Sequence, residues 1–259
     1  MWSYYGSKSK IVNLYPPPKY GKIIEPFAGT ARYALKYFDR DILLVDKYDI
    51  VIEIWHYLQQ ASPKDILSLP ITKRGDKIEK YNLSQVEKNL LGFIATGAVG
   101  RPRKTVSLFG EYSHGNQNVY KRIASNLYKI KHWKIIQGEY LDIENQEATW
   151  FIDPPYQVGG YEYKHHELDY ASLSDWCLSR SGQIIVCENT KANWMTFMPL
   201  KKIQGVNNTG TTEAVYTNTP SRQLGFMALA QSNTASSRLF EGWGDLPAVA
   251  NQSESESPA

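Results

Sequence analysis

Four consecutive residues, Asp153, Pro154, Pro155 and Tyr156, concentrate the chemistry of this chain. The apolar run Trp150-Phe151-Ile152 ahead of them reads as the end of a buried parallel strand. The two prolines stop that strand, and Pro154 pushes Asp153 into an extended conformation. One stiff loop therefore carries a carboxylate, a backbone carbonyl and an aromatic ring. In open α/β sheets, ligand chemistry sits outside the carboxyl ends of the strands. A flat ring bearing an amino group suits this trio. Asp153 and the Pro154 carbonyl accept the amino hydrogens while Tyr156 stacks on the ring. Prolines after a strand are also plain loop punctuation; a cofactor loop upstream would set this pair apart.

Such a loop occupies 22–32. Ile23 and Ile24 are strand residues, and Pro26, Phe27, Ala28, Gly29 and Thr30 make the turn that follows. Gly29 permits a tight turn and close ligand approach. Thr30 is placed to cap a helix that starts near Ala31 and runs through Leu35, Tyr37 and Phe38. A glycine turn at a helix N-terminus is a ligand site in doubly wound folds. With Gly29 as its lone glycine, the turn falls short of the dinucleotide fingerprint and favours a smaller nucleoside cofactor. A second strand, 42–46, ends in Asp46, where a carboxylate binds ribose hydroxyls or caps the next helix. A third, 133–139, ends in Glu139 and Tyr140, and either Glu139 or Asp142 can accept a hydrogen bond from an adenine. At the start, Tyr4-Tyr5-Gly6-Ser7-Lys8 precedes a short helical stretch that can wrap a ligand.

The elements that position these residues alternate strand and helix. Residues 49–60 read as a helix with Ile50, Ile54, Trp55 and Leu58 inward. Residues 172–180 read as another helix and 183–189 as a further buried strand. Segments 214–216 and 225–229 are candidates to close the sheet. From 231 the composition turns to Ser, Asn, Ala and Glu, which predicts a disordered tail over 231–259; Phe240 and Trp243 offer a weak docking motif there. Cys177 and Cys187 sit in apolar surroundings and read as buried reduced thiols. No span-length apolar run and no signal-peptide pattern occurs. These points predict a cytoplasmic protein, without a membrane partner and without a metal.

The strand-helix rhythm lapses between 61 and 129. Helices are expected over 84–99, with Val86, Leu90, Leu91, Ile94 and Ala95 inward, and over 120–130. The overall charge of +3 hides a division. Residues 57–138 hold 14 Lys and Arg against 5 Asp and Glu, a balance of +9, and the rest holds 15 against 21, a balance of −6. A basic insert beside an acidic body points to a polyanion partner, though lysine-rich surfaces are common. Arg101, Arg103 and Lys104 can meet phosphates or guanine edges, Asn116, Gln117 and Asn118 can read adenine, and Lys121 adds a cation on the same segment. Lys73, Arg74, Lys77 and Lys80 read as phosphate contacts or plain surface.

With these pieces in order, residues 2–220 resemble the Dam-like family of DNA adenine methyltransferases that use S-adenosylmethionine. Asp153-Pro154-Pro155-Tyr156 matches the family's catalytic motif, and 25–31 is similar to its cofactor loop. Tyr4-Tyr5-Gly6-Ser7-Lys8 resembles its opening motif, with Tyr4 in the place of a tryptophan. Gly138-Glu139-Tyr140 resembles its Gly-Asp-Phe, which favours Glu139 over Asp142, and 213–218 resembles its late Glu-containing strand. The resemblance implies an α/β fold, a Rossmann-like methyltransferase sheet with an inserted, mostly helical target-recognition domain. It assigns 1–56 and 130–230 to the catalytic domain and 57–129 to the insert. It implies cofactor contacts at Tyr4, Lys8, Pro26, Phe27, Ala28, Gly29, Thr30, Asp46, Glu139, Tyr140 and Asp153. The partner implied is double-stranded DNA, met by a monomer or weak dimer in a bacterial or phage setting. A companion restriction endonuclease is open, as is the target sequence.

The mechanism implied is direct transfer to the 6-amino group of an adenine flipped out of the duplex. The aromatic loop at 158–163 is placed to close over that base. Three alternatives stay open: a cytosine-N4 enzyme, which more often carries Ser in place of Asp153, an RNA enzyme, which usually carries Asn there, and a catalytically silent DNA-binding relative.

Overall fold

The strand that leads into Asp153 is wholly buried. Over β4, Ala148–Ile152, alternate side chains enter different packing layers. Trp150 meets Trp176 edge-on at 5.6 Å on one face, while Phe151 stacks on Tyr33 at 4.3 Å and meets Tyr15 at 5.2 Å on the other. A strand apolar on both faces belongs in the middle of a sheet covered on both sides. This computed structural model describes residues 1–2, 4–96, 99–108, 115–204 and 210–219.

The described residues form a seven-stranded sheet. Its other strands are β1 (Lys22–Glu25), β2 (Asp41–Asp46), β3 (Lys134–Gln137), β5 (Gly182–Asn189), β6 (Met198–Gln204) and β7 (Gly210–Thr217). They lie in the order β3-β2-β1-β4-β5-β7-β6. Strands β1 to β5 are parallel, and β7 and β6 add antiparallel at the end. The chain builds outward from β1 through β2 to β3, then returns to place β4 on β1's other side. The gap between β1 and β4 is thus a topological switch point, where ligands bind in open α/β sheets.

The helices among the described residues are α1 (Arg32–Lys36), α2 (Asp49–Gln60), α3 (Pro63–Leu67), α4 (Gln85–Ile94), α5 (Gly115–Ala124), α6 (Leu127–Ile130) and α7 (Tyr170–Leu178). Helix α2 has the expected limits, but Val51 and Ile52 are buried where Ile50 was expected. Helix α4 is capped by Ser84 with Glu87 and stops at Ile94, short of the expected 99; Val86 is only half-buried. The expected helix 120–130 is broken at Ser125 and Asn126 into α5 and α6. Strand β6 escaped the sequence reading because Pro199, Lys201 and Lys202 mask its apolar signal; all three are at home in an edge strand.

Met1–Ser221 is one compact unit, and α4 packs on α2 and α3 on α5 inside it. The expectations for 225–229 and for the tail over 231–259 lie outside the described residues. Cys177 and Cys187 are buried free thiols. No helix among the described residues is long and apolar enough to cross a membrane.

Candidate active site

The loops at the carboxyl ends of β1, β2, β3 and β4 enclose a cleft, which the segment Tyr4–Lys8 covers from one side. Its empty space, open solvent at the mouth included, is about 1170 Å³. Phe27 and Tyr140 face each other in its wall with ring centroids 5.4 Å apart.

The turn after β1 is built around Asp46. Its Oδ2 accepts from the Gly29 N–H at 2.8 Å and its Oδ1 from the Tyr48 N–H at 2.9 Å. Each oxygen keeps a lone pair for a ligand hydroxyl. Burial pushes the Asp46 carboxyl up to about 6, against the pull of those two donors. Gly29 adopts φ 44°, and a Cβ there would touch the Tyr4 ring at 3.5 Å, so glycine serves both the turn and the contact. Pro26 and Ala28 are buried beside it, and Ala28 N–H donates to the Val45 carbonyl at 3.0 Å.

Thr30 does not cap α1. Its hydroxyl donates to Ser7 Oγ at 3.1 Å, and the N-cap is Ala31, in left-handed conformation (φ 44°) with no side-chain cap. The capping is done by Glu25 from the strand: its buried carboxylate accepts from the Ala34 N–H at 2.6 Å. Burial holds the Glu25 carboxyl well above its ordinary range. The sequence reading gave Glu25 no role, although an acid ending a buried strand, with no water to solvate it, signals a backbone partner. Arg32 ties the covering segment down, donating to Ser7 Oγ at 3.0 Å and to the Trp2 carbonyl at 2.7 Å.

Asp153 enters the cleft directly after β4. The Lys8 ammonium lies 2.7 Å from its Oδ1, with 3% of the lysine and 20% of the aspartate side chain exposed. Burial raises the Asp153 carboxyl, and Lys8 offsets this only in part. Burial alone would lower the Lys8 ammonium, but Asp153 and Glu213 outweigh it, and the lysine is held above its ordinary value.

Tyr156 stands behind this pair. Its hydroxyl donates to Glu213 Oε2 at 2.5 Å, and Lys8 Nζ lies 4.8 Å from its ring centroid. The tyrosine lines a second hollow, shared with Gly159–Tyr161 and 166–170, that adjoins the cleft across the loop. Several contacts fix that loop: Gln157 N–H donates to Glu188 Oε1 at 2.6 Å, Tyr170 hydroxyl to the Pro155 carbonyl at 2.9 Å, and Asn189 Nδ2 to the Val158 carbonyl at 2.9 Å. Among the described residues no donor occupies the Pro154 carbonyl. Glu188, unassigned from sequence, and Glu213, noted there only as part of a Glu-containing strand, come from β5 and β7 and reach the loop only through the sheet order.

The two competing acids after β3 part company. Glu139 lines the cleft and pairs with Lys47 at 2.8 Å, whereas Asp142 caps the short turn and accepts from the Glu139 N–H at 3.3 Å. Of the two tyrosines in the aromatic loop, Tyr161 is exposed and Tyr163 packs inward: its hydroxyl donates to the Tyr5 carbonyl at 3.1 Å, and its ring meets Tyr4 at 5.9 Å.

Arg101, Arg103, Lys104, Gln117, Asn118 and Lys121 are exposed. Asn116 is not: it is buried, with Nδ2 donating to Thr72 Oγ1 at 2.6 Å. Its expected contact with a base is corrected to an interior hydrogen bond, because this side of α5 packs on the chain entering from α3. Lys80 and Lys77 are also engaged, with Asp76 and Thr105. Gly100 lies so close to loop 160–163 that a Cβ would collide with the Glu162 carbonyl. The basic stretch from Arg101 thus starts beside the cleft. Neither the models of known protein families nor the curated proteins match this sequence.

Proposed function

We propose that the protein transfers a methyl group from S-adenosylmethionine to the 6-amino group of an adenine flipped out of duplex DNA. One observation carries this reading: Asp153, Gly29 and Asp46 line one cleft at the sheet's switch point, with Tyr156 facing an adjoining hollow. The donor set fits the cofactor. Asp46 has lone pairs for ribose hydroxyls, Phe27 and Tyr140 offer aromatic faces, and Glu139 is an acceptor at the cleft wall. Tyr4, Lys8, Pro26, Ala28 and Thr30 shape the same cleft. When bound, the cofactor supplies a sulfonium methyl group to an attacking nitrogen.

The chain's residues prepare that nitrogen. In adenine its lone pair is delocalised into the ring. Asp153 and the unoccupied Pro154 carbonyl accept the amino hydrogens, draw the nitrogen toward tetrahedral geometry and stabilise its developing positive charge. The amino proton then leaves for Asp153 or water, and a carboxyl raised by burial is suited to hold it briefly. Lys8 covers Tyr156 from the cleft side, which leaves the ring face toward the hollow for the base. Extruding the base costs a few kcal/mol, which Arg101, Arg103, Lys104 and Lys121 help to offset by holding phosphates. Residues 57–129 serve target recognition in this reading.

The test is transfer from radiolabelled S-adenosylmethionine to duplex DNA, followed by nucleoside analysis. Label in N6-methyladenine supports the proposal. Label in cytosine or RNA, or none at all with folded protein, overturns it.

A further inference from the structure

Two carboxylates, not one, surround the buried ammonium of Lys8. Asp153 meets it at 2.7 Å, and Glu213 lies close enough to act on its charge. Glu213 also holds the hydroxyl of Tyr156 at 2.5 Å, while Lys8 lies over that tyrosine's ring. The residues thus form a closed cluster drawn from three places in the chain: the covering segment, the loop after β4, and β7 on the far side of β5. Asp153 alone would be cancelled by Lys8. Burial raises the Glu213 carboxyl, with Lys8 and the Tyr156 hydroxyl pulling against it; in the form with Glu213 ionised the cluster carries one net negative charge.

We infer that Glu213 is a positioning residue of the reaction, fixing Tyr156 and keeping the Lys8–Asp153 pair from being electrically neutral. This rests on the proposed methyl transfer. The accepting nitrogen turns positive in the transition state, and a neutral ion pair stabilises that charge far less than a cluster with net charge −1, most of all where water is scarce. Glu213 also gives Lys8 a second counter-charge, so Asp153 can turn toward the amino hydrogens without stranding a buried ammonium. The other titratable groups facing the cluster are Glu25 on β1, Cys187 and Glu188 on β5, and Tyr15 and Tyr163. Glu188 is committed to the Gln157 and Asn189 N–H groups, and burial raises its carboxyl. Burial keeps the thiol and both phenols protonated at neutral pH, so none of these three replaces the charge of Glu213. Glu25 is committed to the Ala34 N–H, and burial favours its neutral form.

Glu213→Gln separates the two roles, because the amide oxygen still accepts from Tyr156 while the charge is gone. Expected are a loss of roughly tenfold in kcat, the scale of one charge interaction in a partly buried site, and an unchanged cofactor KM. The acid limb of the kcat profile moves down by about one pH unit, since Asp153 and Glu213 disfavour each other's ionisation and removing one eases that of the other. Tyr156→Phe lowers kcat but leaves that limb in place. If the limb of Glu213→Gln stays put, or the two variants behave alike, the inference is overturned. A second measurement does not depend on methyl transfer: carbon-13 carboxyl NMR of the ligand-free protein, with the Asp153 midpoint falling by about one unit in Glu213→Gln. An unmoved midpoint rejects the cluster itself. A moved midpoint in a protein that methylates no DNA rejects the proposed function and leaves the charge coupling standing.

Discussion

In the cleft each polar group that matters is held by another: Asp46 by two backbone N–H groups, Glu25 by Ala34, Tyr156 by Glu213 and Asp153 by Lys8. Over 57–129 the outward cations Arg101, Arg103, Lys104 and Lys121 make no ion pair among the described residues. The first arrangement is preorganised, so its groups need no reordering when charge develops. The second leaves long side chains free to follow a polyanion, at the cost of ordering them on contact. The cleft is therefore sensitive to single atoms and local pH, and the exposed cations to ionic strength.

The sharpest way to break that contrast is Asp153→Ala. Methyl transfer should fall by roughly 10³-fold, the cost of losing a preorganised charge partner, while cofactor affinity measured by calorimetry stays within a few-fold. Thermal stability falls too, because Lys8 keeps only Glu213 as a counter-charge. Normal transfer by this variant would remove Asp153 from the chemistry. Next in size is Asp46→Ala, which should weaken cofactor binding by roughly 10- to 100-fold, as hydrogen bonds to a charged group are lost.

The same residue sets a pH dependence. Its carboxyl is raised to about 6, and hydroxyl donors bind the ionised form. Cofactor affinity should be full above that value and fall as pH drops through it. The sign is opposite for the ligand-free fold: a raised carboxyl favours folding while protonated, and that contribution is lost as pH climbs from the ordinary carboxylate range through about 6. Titrations at pH 5 to 7.5 check both slopes, and an affinity flat across that range would exclude Asp46 as the hydroxyl partner.

On the basic face, Arg101→Ala with Arg103→Ala should make the slope of log affinity against log salt shallower by about two, roughly one per phosphate contact. An unchanged slope would move the DNA elsewhere. The smallest effect belongs to Asn116→Ala, expected to cost about 1 kcal/mol of stability in thermal melts and to leave sequence preference intact. A relaxed preference would mean that Asn116 leaves its interior hydrogen bond to read a base.

Much of the sheet was legible from residues 22–25, 41–46, 148–152 and 182–189, because strands buried on both faces must be written in continuous apolar residues. Edge strand β6 was not, since half-exposed backbone accepts Pro199 and two lysines. Asp46 and Asp153 were recognisable as lining a cleft at the sheet's edge because each ends such a strand. Asn116 misled because a polar side chain on a helix does not reveal which way it faces.

The amino-acid sequence by itself determined the strand-end carboxylates, the glycine turn and the stiff Asp-Pro-Pro-Tyr loop, for these depend on neighbours a few residues apart. Only the tertiary structure decided that Lys8, Asp153, Tyr156 and Glu213 share one cluster, that Glu25 caps α1 in place of Thr30, and that Asp142 turns to the backbone while Glu139 lines the cleft. Glu213 lies 57 residues from Tyr156 along the chain. Their meeting depends on β7 lying antiparallel beside β5, an order set by long-range packing that no local spacing encodes.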